Sequence, residues 1–232
     1  YFGWEAPLFA HLPLLLNSDR SKLSKRQGDV AVEGYLNNGY LPEALLNFIA
    51  FLGWNPKDTR EIFSLDELTK EFSLEGVNKA GAVFNLEKLN WLNGQYIQRL
   101  PKAELLRRAR PFLHAYDLTK FSDTYLADVV DALRERATVL ADFAQAGQFF
   151  FKAPREFDAA LVAKMWPTGA ATTLHSLLPI VESINSFDAK SIEEAIRNHA
   201  KTENLAMGAL IAPLRLSLSG RGQGPSVYNI IA

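Results

Sequence analysis

Lys22, Ser24, Lys25 and Arg26 lie close together in the stretch Ser21-Lys22-Leu23-Ser24-Lys25-Arg26-Gln27-Gly28-Asp29, and their chemistry suits a polyphosphate. Two lysines three residues apart, with a hydroxyl between them, can wrap around such a group. Each ammonium is a mobile point charge and the Ser24 hydroxyl is a donor, so the loop can follow negative charge as it builds on departing phosphates. The same cations also fit a solvated basic turn or a nuclear-localisation-like cluster. The flanking elements have to decide.

Upstream, His11-Leu12-Pro13-Leu14-Leu15-Leu16 is a compact apolar run that predicts a short buried strand, and Asn17-Ser18-Asp19 predicts a turn. The basic loop would then follow a strand end, where open α/β sheets place ligand loops. Downstream the period becomes helical. Val32, Leu36 and Tyr40, then Ala44, Leu45, Phe48, Ile49 and Leu52, recur at helical spacing, with Asn38-Gly39 as a turn, Pro42 at a helix start and Gly53 at a stop. Ser64-Leu65-Asp66-Glu67 has the form of a capping box, and Asn85 opens a helix carrying Leu86, Leu89, Trp91, Leu92 and Tyr96.

Beyond Pro101 the chain predicts only helices. Arg99, Lys102, Arg107, Arg108 and Arg110 cluster with only Glu104 opposing them, and they fit either a solvated helix face or an RNA-facing surface. Ser122-Asp123 opens a long helix whose apolar stripe runs Leu126, Val129, Val130, Leu133, Ala137, Leu140 and Phe143. Phe149-Phe150-Phe151 reads as core in preference to a base-stacking platform. Residues 161–166, 173–187, 191–204 and 207–218 continue the helical pattern. Gly220-Arg221-Gly222-Gln223-Gly224-Pro225 is a loop, and its likeness to a dinucleotide glycine motif fails because it follows an apolar helix and runs into proline.

Composition sets the bounds. The 232 residues are 48% hydrophobic, enough for a real core, and 25 basic against 26 acidic residues leave no global positive field, so any phosphate partner must be held by local patches. Without cysteine there is no disulfide, thiolate metal site or cysteine nucleophile, which suits a reducing interior. His11, His114, His175 and His199 are too scattered for a metal pair, so no metal site is expected. No apolar run approaches the ~20 residues of a membrane span and no signal peptide opens the chain, so a soluble protein with no membrane partner is expected. Tyr1 in place of Met, and an apolar Asn229-Ile230-Ile231-Ala232 end, suggest a piece of something longer.

Lys22-Leu23-Ser24-Lys25-Arg26 resembles the KMSKS signature of class I aminoacyl-tRNA synthetases in its glutamyl form. Its neighbours agree. Phe9-Ala10-His11-Leu12-Pro13-Leu14, Gly39-Tyr40-Leu41-Pro42-Glu43-Ala44-Leu45-Leu46-Asn47, Leu52-Gly53-Trp54, Asn85-Leu86-Glu87-Lys88-Leu89-Asn90-Trp91-Leu92-Asn93-Gly94, Pro213-Leu214-Arg215 and Gly224-Pro225 resemble bacterial-type glutamyl-tRNA synthetases over essentially the whole chain.

The resemblance implies a mainly α fold. A short α/β remnant of a Rossmann catalytic domain (residues 1–30) would precede stem-contact helices (31–100) and an all-helical anticodon-binding domain (101–232, with a subdomain split near 155). It implies ATP-dependent activation of L-glutamate and transfer to tRNA(Glu), with ATP and Mg2+ as cofactors and a cytoplasmic monomer as the setting, an organellar matrix being the alternative. Lys25, assisted by Lys22, would contact the ATP phosphates. Leu14 and Leu15 would lie along the adenine, and Leu23, Ser24 and Arg26 would complete the loop. Arg136 matches a family arginine that reads one end of the anticodon triplet, and Arg215, Gly224, Pro225 and Val227 match positions lining the anticodon pocket. Guanidinium stacking and base-edge hydrogen bonds on splayed bases are the chemistry expected there. The family's HIGH motif, which holds ATP opposite the lysine loop, and its glutamate-binding residues are absent and would lie upstream of Tyr1. The chain by itself is therefore expected to form no adenylate. A stand-alone helical tRNA-binding module without catalysis, and a purely structural helical domain, are the competing readings.

Overall fold

The computed structural model describes residues 2–7, 9–24 and 31–232 and is mostly helical with one two-stranded sheet. It divides into two compact units, Tyr1–Pro101 with Arg136–Ala141, and Lys102–Glu135 with Asp142–Ala232.

In the first unit, β1 (Leu15–Leu16) pairs in parallel with β2 (Ala82–Val83), Leu15 opposite Ala82 and Leu16 opposite Val83. The buried strand expected over 11–16 is corrected here. Only two residues are extended in pairing, and Leu12 and Leu14 are 66% and 59% exposed. Ala82 of the partner strand packs against the cluster of Leu45, Phe48, Leu52, Leu89 and Leu92, whereas Leu12 and Leu14 stay at the surface, so an apolar sequence does not by itself become a buried one. The partner strand is too short for a period to announce. Gly81 precedes it in close contact, and a Cβ there would lie 2.7 Å from Leu16 Cδ1 and displace that side chain.

The helices of this unit follow their local signals. α1 (Val32–Asn37) ends in the Asn38-Gly39 turn, and α2 (Pro42–Phe51) starts on its proline, whose missing N–H costs nothing in a first turn. α3 (Leu65–Glu71) carries both bonds of the capping box between Ser64 and Glu67, and α4 (Leu86–Arg99) is capped by the Asn85 side chain accepting from Lys88 N. α2 packs on α4 through Leu45, Phe48, Leu52, Leu89 and Leu92, with Tyr35, Phe84 and Tyr96 against them. A second cluster joins Trp54, Phe63 and Leu68. Burying such side chains yields about 1.5–3 kcal/mol each, which sets the polar exceptions in relief. Asn47 and Asn93 are fully buried. Asn47 Oδ1 accepts from Phe63 N at 2.8 Å and from the Tyr96 hydroxyl at 2.7 Å.

The second unit contains α5 (Lys102–Ala109), α6 (Asp123–Leu133), α7 (Asp142–Ala146), α8 (Gln148–Phe151), α9 (Ala159–Met165), α10 (Ala170–His175), α11 (Leu178–Glu182), α12 (Ala189–Thr202), α13 (Met207–Ser219) and α14 (Val227–Ile231). The single long helix expected from Ser122 through Phe143 is corrected. Ser122 does cap α6, but the helix ends at Leu133 in a 3-10 turn over Arg134–Arg136, Ala137 and Leu140 are buried in the first unit, and Phe143 sits on α7. The helix expected over 173–187 is likewise split into α10 and α11, with Pro179 in the first turn of α11, where a continuing helix could not accept it. Leu177, Ile192, Ile196, Ala200 and Leu210 form one core cluster of this unit, and Leu105, Leu113, Leu126, Val130 and Phe143 are buried elsewhere in it. Phe149, Phe150 and Phe151 are half-buried, and Phe151 stacks on Tyr116 with ring centres 4.4 Å apart.

Candidate functional site

The basic loop leaves β1 through a closed turn. Asn17 N donates to Ser21 O at 2.8 Å and Leu23 N to Leu15 O at 2.9 Å, while Lys22 bridges Leu16 in antiparallel fashion. The Asp19 carboxylate accepts from both the Ser21 hydroxyl (2.6 Å) and the Ser21 N–H (2.9 Å), and these bonds, the side-chain one first, hold it below the usual carboxylate range. β1 is thus paired on one edge by β2 and on the other by the first residues of the loop. Lys22 emerges from that clamp exposed, with Leu23 and Ser24 half-buried beside it. Lys25 and Arg26 lie outside the described residues.

Leu14 and Leu15 present exposed side chains, but their carbonyls already accept from Ala82 N at 3.0 Å and Leu23 N at 2.9 Å. What these two residues offer a planar ring is therefore chiefly an apolar wall.

Four residues gather at the end of the second unit. Arg215, on α13, donates from Nη1 to the Pro225 carbonyl at 2.8 Å, and a Cβ on Gly224 would stand 3.2 Å from the same nitrogen. Pro225 and Val227 are buried, and Val227 starts α14. Gly220 ends α13 at φ +66°, where a Cβ would lie 3.0 Å from that of Pro154, so loop 220–226 begins at a position only glycine fills without strain. Ser219 steadies the same turn, its hydroxyl donating to Arg215 O and accepting from Arg221 N. Arg221 Nη2 reaches the carbonyl of Gln145 at 2.7 Å, a partner 76 residues away that nothing in the sequence points to. Arg136 is exposed and belongs to the first unit.

The basic stretch 102–110 differs from its expectation. Glu104 takes both Arg107 and Arg108, and the Arg107 bonds followed by those of Arg108 lower its carboxyl to about 2. α6, packed on α5, adds Asp128 against Lys102 and Asp123 against Arg110. Three carboxylates from two helices thus oppose this face, where the sequence showed one nearby.

The comparisons with known proteins match two families along the chain. The family described as "Anticodon binding domain" matches residues 104–232, and the one described as "tRNA synthetases class I (E and Q), catalytic domain" matches residues 1–91. Glutamate–tRNA ligases from Chlorobium phaeobacteroides (strain BS1) and Prosthecochloris aestuarii are each 44% identical over 100% of this chain, which covers 48% of either relative. A crystal structure of a glutamate tRNA ligase from Elizabethkingia meningosepticum, in complex with its amino acid, superposes with a TM-score of 0.87 at 39% identity, over 98% of this chain and 49% of that one. The glutamate-tRNA synthetase of Elizabethkingia anophelis gives 0.84 at 39% identity over 98% and 48%. The chain spans about half the length of the curated relatives it matches, their C-terminal half.

Proposed function

The chain belongs to the anticodon binding domain family and is homologous over its whole length to glutamate–tRNA ligases, and from that premise we propose that it supplies the ATP loop, the stem contact and the anticodon recognition of such a ligase. The whole protein would activate L-glutamate with ATP and pass it to tRNA(Glu). Residues 1–30 would close the catalytic domain, 31–100 would contact the tRNA stem, and 101–232 would carry the anticodon pocket. The setting would be a cytoplasmic monomer. No helix among the described residues is long and apolar enough to cross a membrane.

At the ATP end, Lys22 and Lys25 would neutralise charge that develops on the leaving pyrophosphate, with Ser24 as a donor and Leu14, Leu15, Leu23 and Arg26 bounding the nucleotide. Mg2+ would arrive on the phosphates of ATP and share their charge. Among the described residues no three His, Cys, Asp or Glu side chains gather as an ion site.

The observation that carries the reading is the assembly of Arg215, Gly224, Pro225 and Val227 around one loop, inside the region matched by the anticodon family. A guanidinium is suited to stacking on a splayed base and to hydrogen-bonding its edges. The match of residues 1–91 to a synthetase catalytic domain favours this reading over a stand-alone tRNA-binding module. Glutamate-dependent exchange between ATP and pyrophosphate tests the catalytic part. We expect none from this chain alone, and a loss of about a hundredfold or more for Lys25→Ala in a polypeptide carrying the complete catalytic domain. Exchange by the chain alone, or an undiminished rate in the variant, would remove the assignment.

A further inference from the structure

Residues 136–141 follow the last turn of α6 in sequence yet are packed into the first unit. Ala137 and Leu140 are each 5% exposed. Two polar contacts fix the main chain between them. Asn93 Nδ2, from the middle of α4, donates to Thr138 O at 2.5 Å, and Leu140 N donates to Gly39 O at 2.9 Å. Asn93 is itself fully buried, and its Oδ1 accepts from Leu41 N at 2.8 Å, so one side chain joins the start of α2, the body of α4 and the 136–141 segment. Gly39, at φ +89°, lies so close that a Cβ would stand 2.7 Å from Ala141 N and 2.8 Å from Leu140 N.

Arg136 opens this segment, two residues from the carbonyl that Asn93 holds. We propose that Asn93, with Gly39, is a positioning residue for Arg136, so that the α2–α4 core sets where this arginine meets the anticodon. Asn93 touches no nucleotide in this scheme; it acts through the main chain at Thr138. The inference rests on the reading of Arg136 given above. Its physical basis is that a buried amide satisfying two main-chain groups is expensive to replace, and that a small displacement of a base-reading arginine loses its hydrogen bonds first.

The test is filter binding of this chain, at fixed salt, to tRNA(Glu) transcripts with the native anticodon and with each of its three bases replaced in turn. Arg136→Ala identifies the base it reads, as the one where discrimination falls. Asn93→Asp keeps the acceptor for Leu41 N and removes the donor to Thr138 O. It is expected to lower discrimination about fivefold or more at that same base, to leave the other two within about twofold, and to add nothing in the Asn93→Asp/Arg136→Ala double variant. Full discrimination by a folded Asn93→Asp variant, or equal loss at all three bases, overturns the proposal. If Arg136→Ala discriminates as the parent does, the reading of Arg136 fails and the positioning role falls with it. Should Asn93→Asp not fold, amide exchange in the parent chain decides. Leu140 N–H is expected to exchange as slowly as the interior amides of α4, and fast exchange contradicts a held segment.

Discussion

Arg215 and Pro225 are ten residues apart and joined by one hydrogen bond, Nη1 to main-chain carbonyl at 2.8 Å, which ties α13 to the loop that precedes α14. The bond uses part of the guanidinium fork to position the rest. Arg215→Lys cannot reproduce that fork, and Arg215→Ala removes it, so both variants are expected to lose affinity for tRNA(Glu) by about tenfold or more, the cost of one charged hydrogen bond being about 1.5–3 kcal/mol. Equal affinity in a titration of either variant would show that the brace does not serve binding.

Gly220→Ala tests the same loop from its other end. The positive φ and the 3.0 Å approach to Pro154 oppose any side chain. A loss of about 1–2 kcal/mol in urea denaturation is expected. No change in midpoint would mean that the turn relaxes freely.

Asn47→Leu is expected to destabilise the first unit by about 1–3 kcal/mol, because the buried Phe63 N–H loses its acceptor. The Tyr96 hydroxyl keeps a partner in Phe63 O at 2.6 Å, and burial already pushes its pKa up to about 12. The readout is the denaturation midpoint followed by tryptophan fluorescence, since Trp54 packs against Phe63.

Asp188 should show in the acid limb of the stability curve. Its carboxylate accepts from the Ser186 hydroxyl, from the N–H and hydroxyl of Ser191 and from Lys190 N, and these bonds, led by that of Ser186, lower it from 3.8 to about 2. A depressed folded-state pKa gives stability that is present above the unfolded value and is lost as pH falls through the folded one. Asp188→Asn is therefore expected to flatten the stability profile between about 4 and about 2, and an unchanged slope there would contradict the cap.

Features governed by near neighbours were legible in the sequence: the Ser64–Glu67 box, the Asn85 cap, the start at Pro42 and the loop after α13. Features governed by distant ones were not. The stripe from Leu126 to Phe143 correctly marked buried positions, but a period says nothing about which body buries them, and Ala137 and Leu140 went to the other unit. β2 had two residues and no period. Asp123 and Asp128, opposite Arg110 and Lys102, were too far along the chain to count as partners. In the site, Arg215, Gly224, Pro225 and Val227 were named from family resemblance, and the structure sets Arg215 against the Pro225 carbonyl and beside Gly224, whereas Asn93 left as its local signal a polar residue among Leu89, Leu92 and Ile97 on the buried side of α4.

The central claim, that this chain recognises tRNA(Glu) through its anticodon, is tested most directly by its affinity for two transcripts at one salt concentration, the native tRNA(Glu) and the same tRNA with all three anticodon bases replaced. The expected result is binding to the native transcript at least about tenfold tighter, with Arg136→Ala and Arg215→Ala narrowing the gap more than they lower general affinity. Equal affinity for the two transcripts would contradict it.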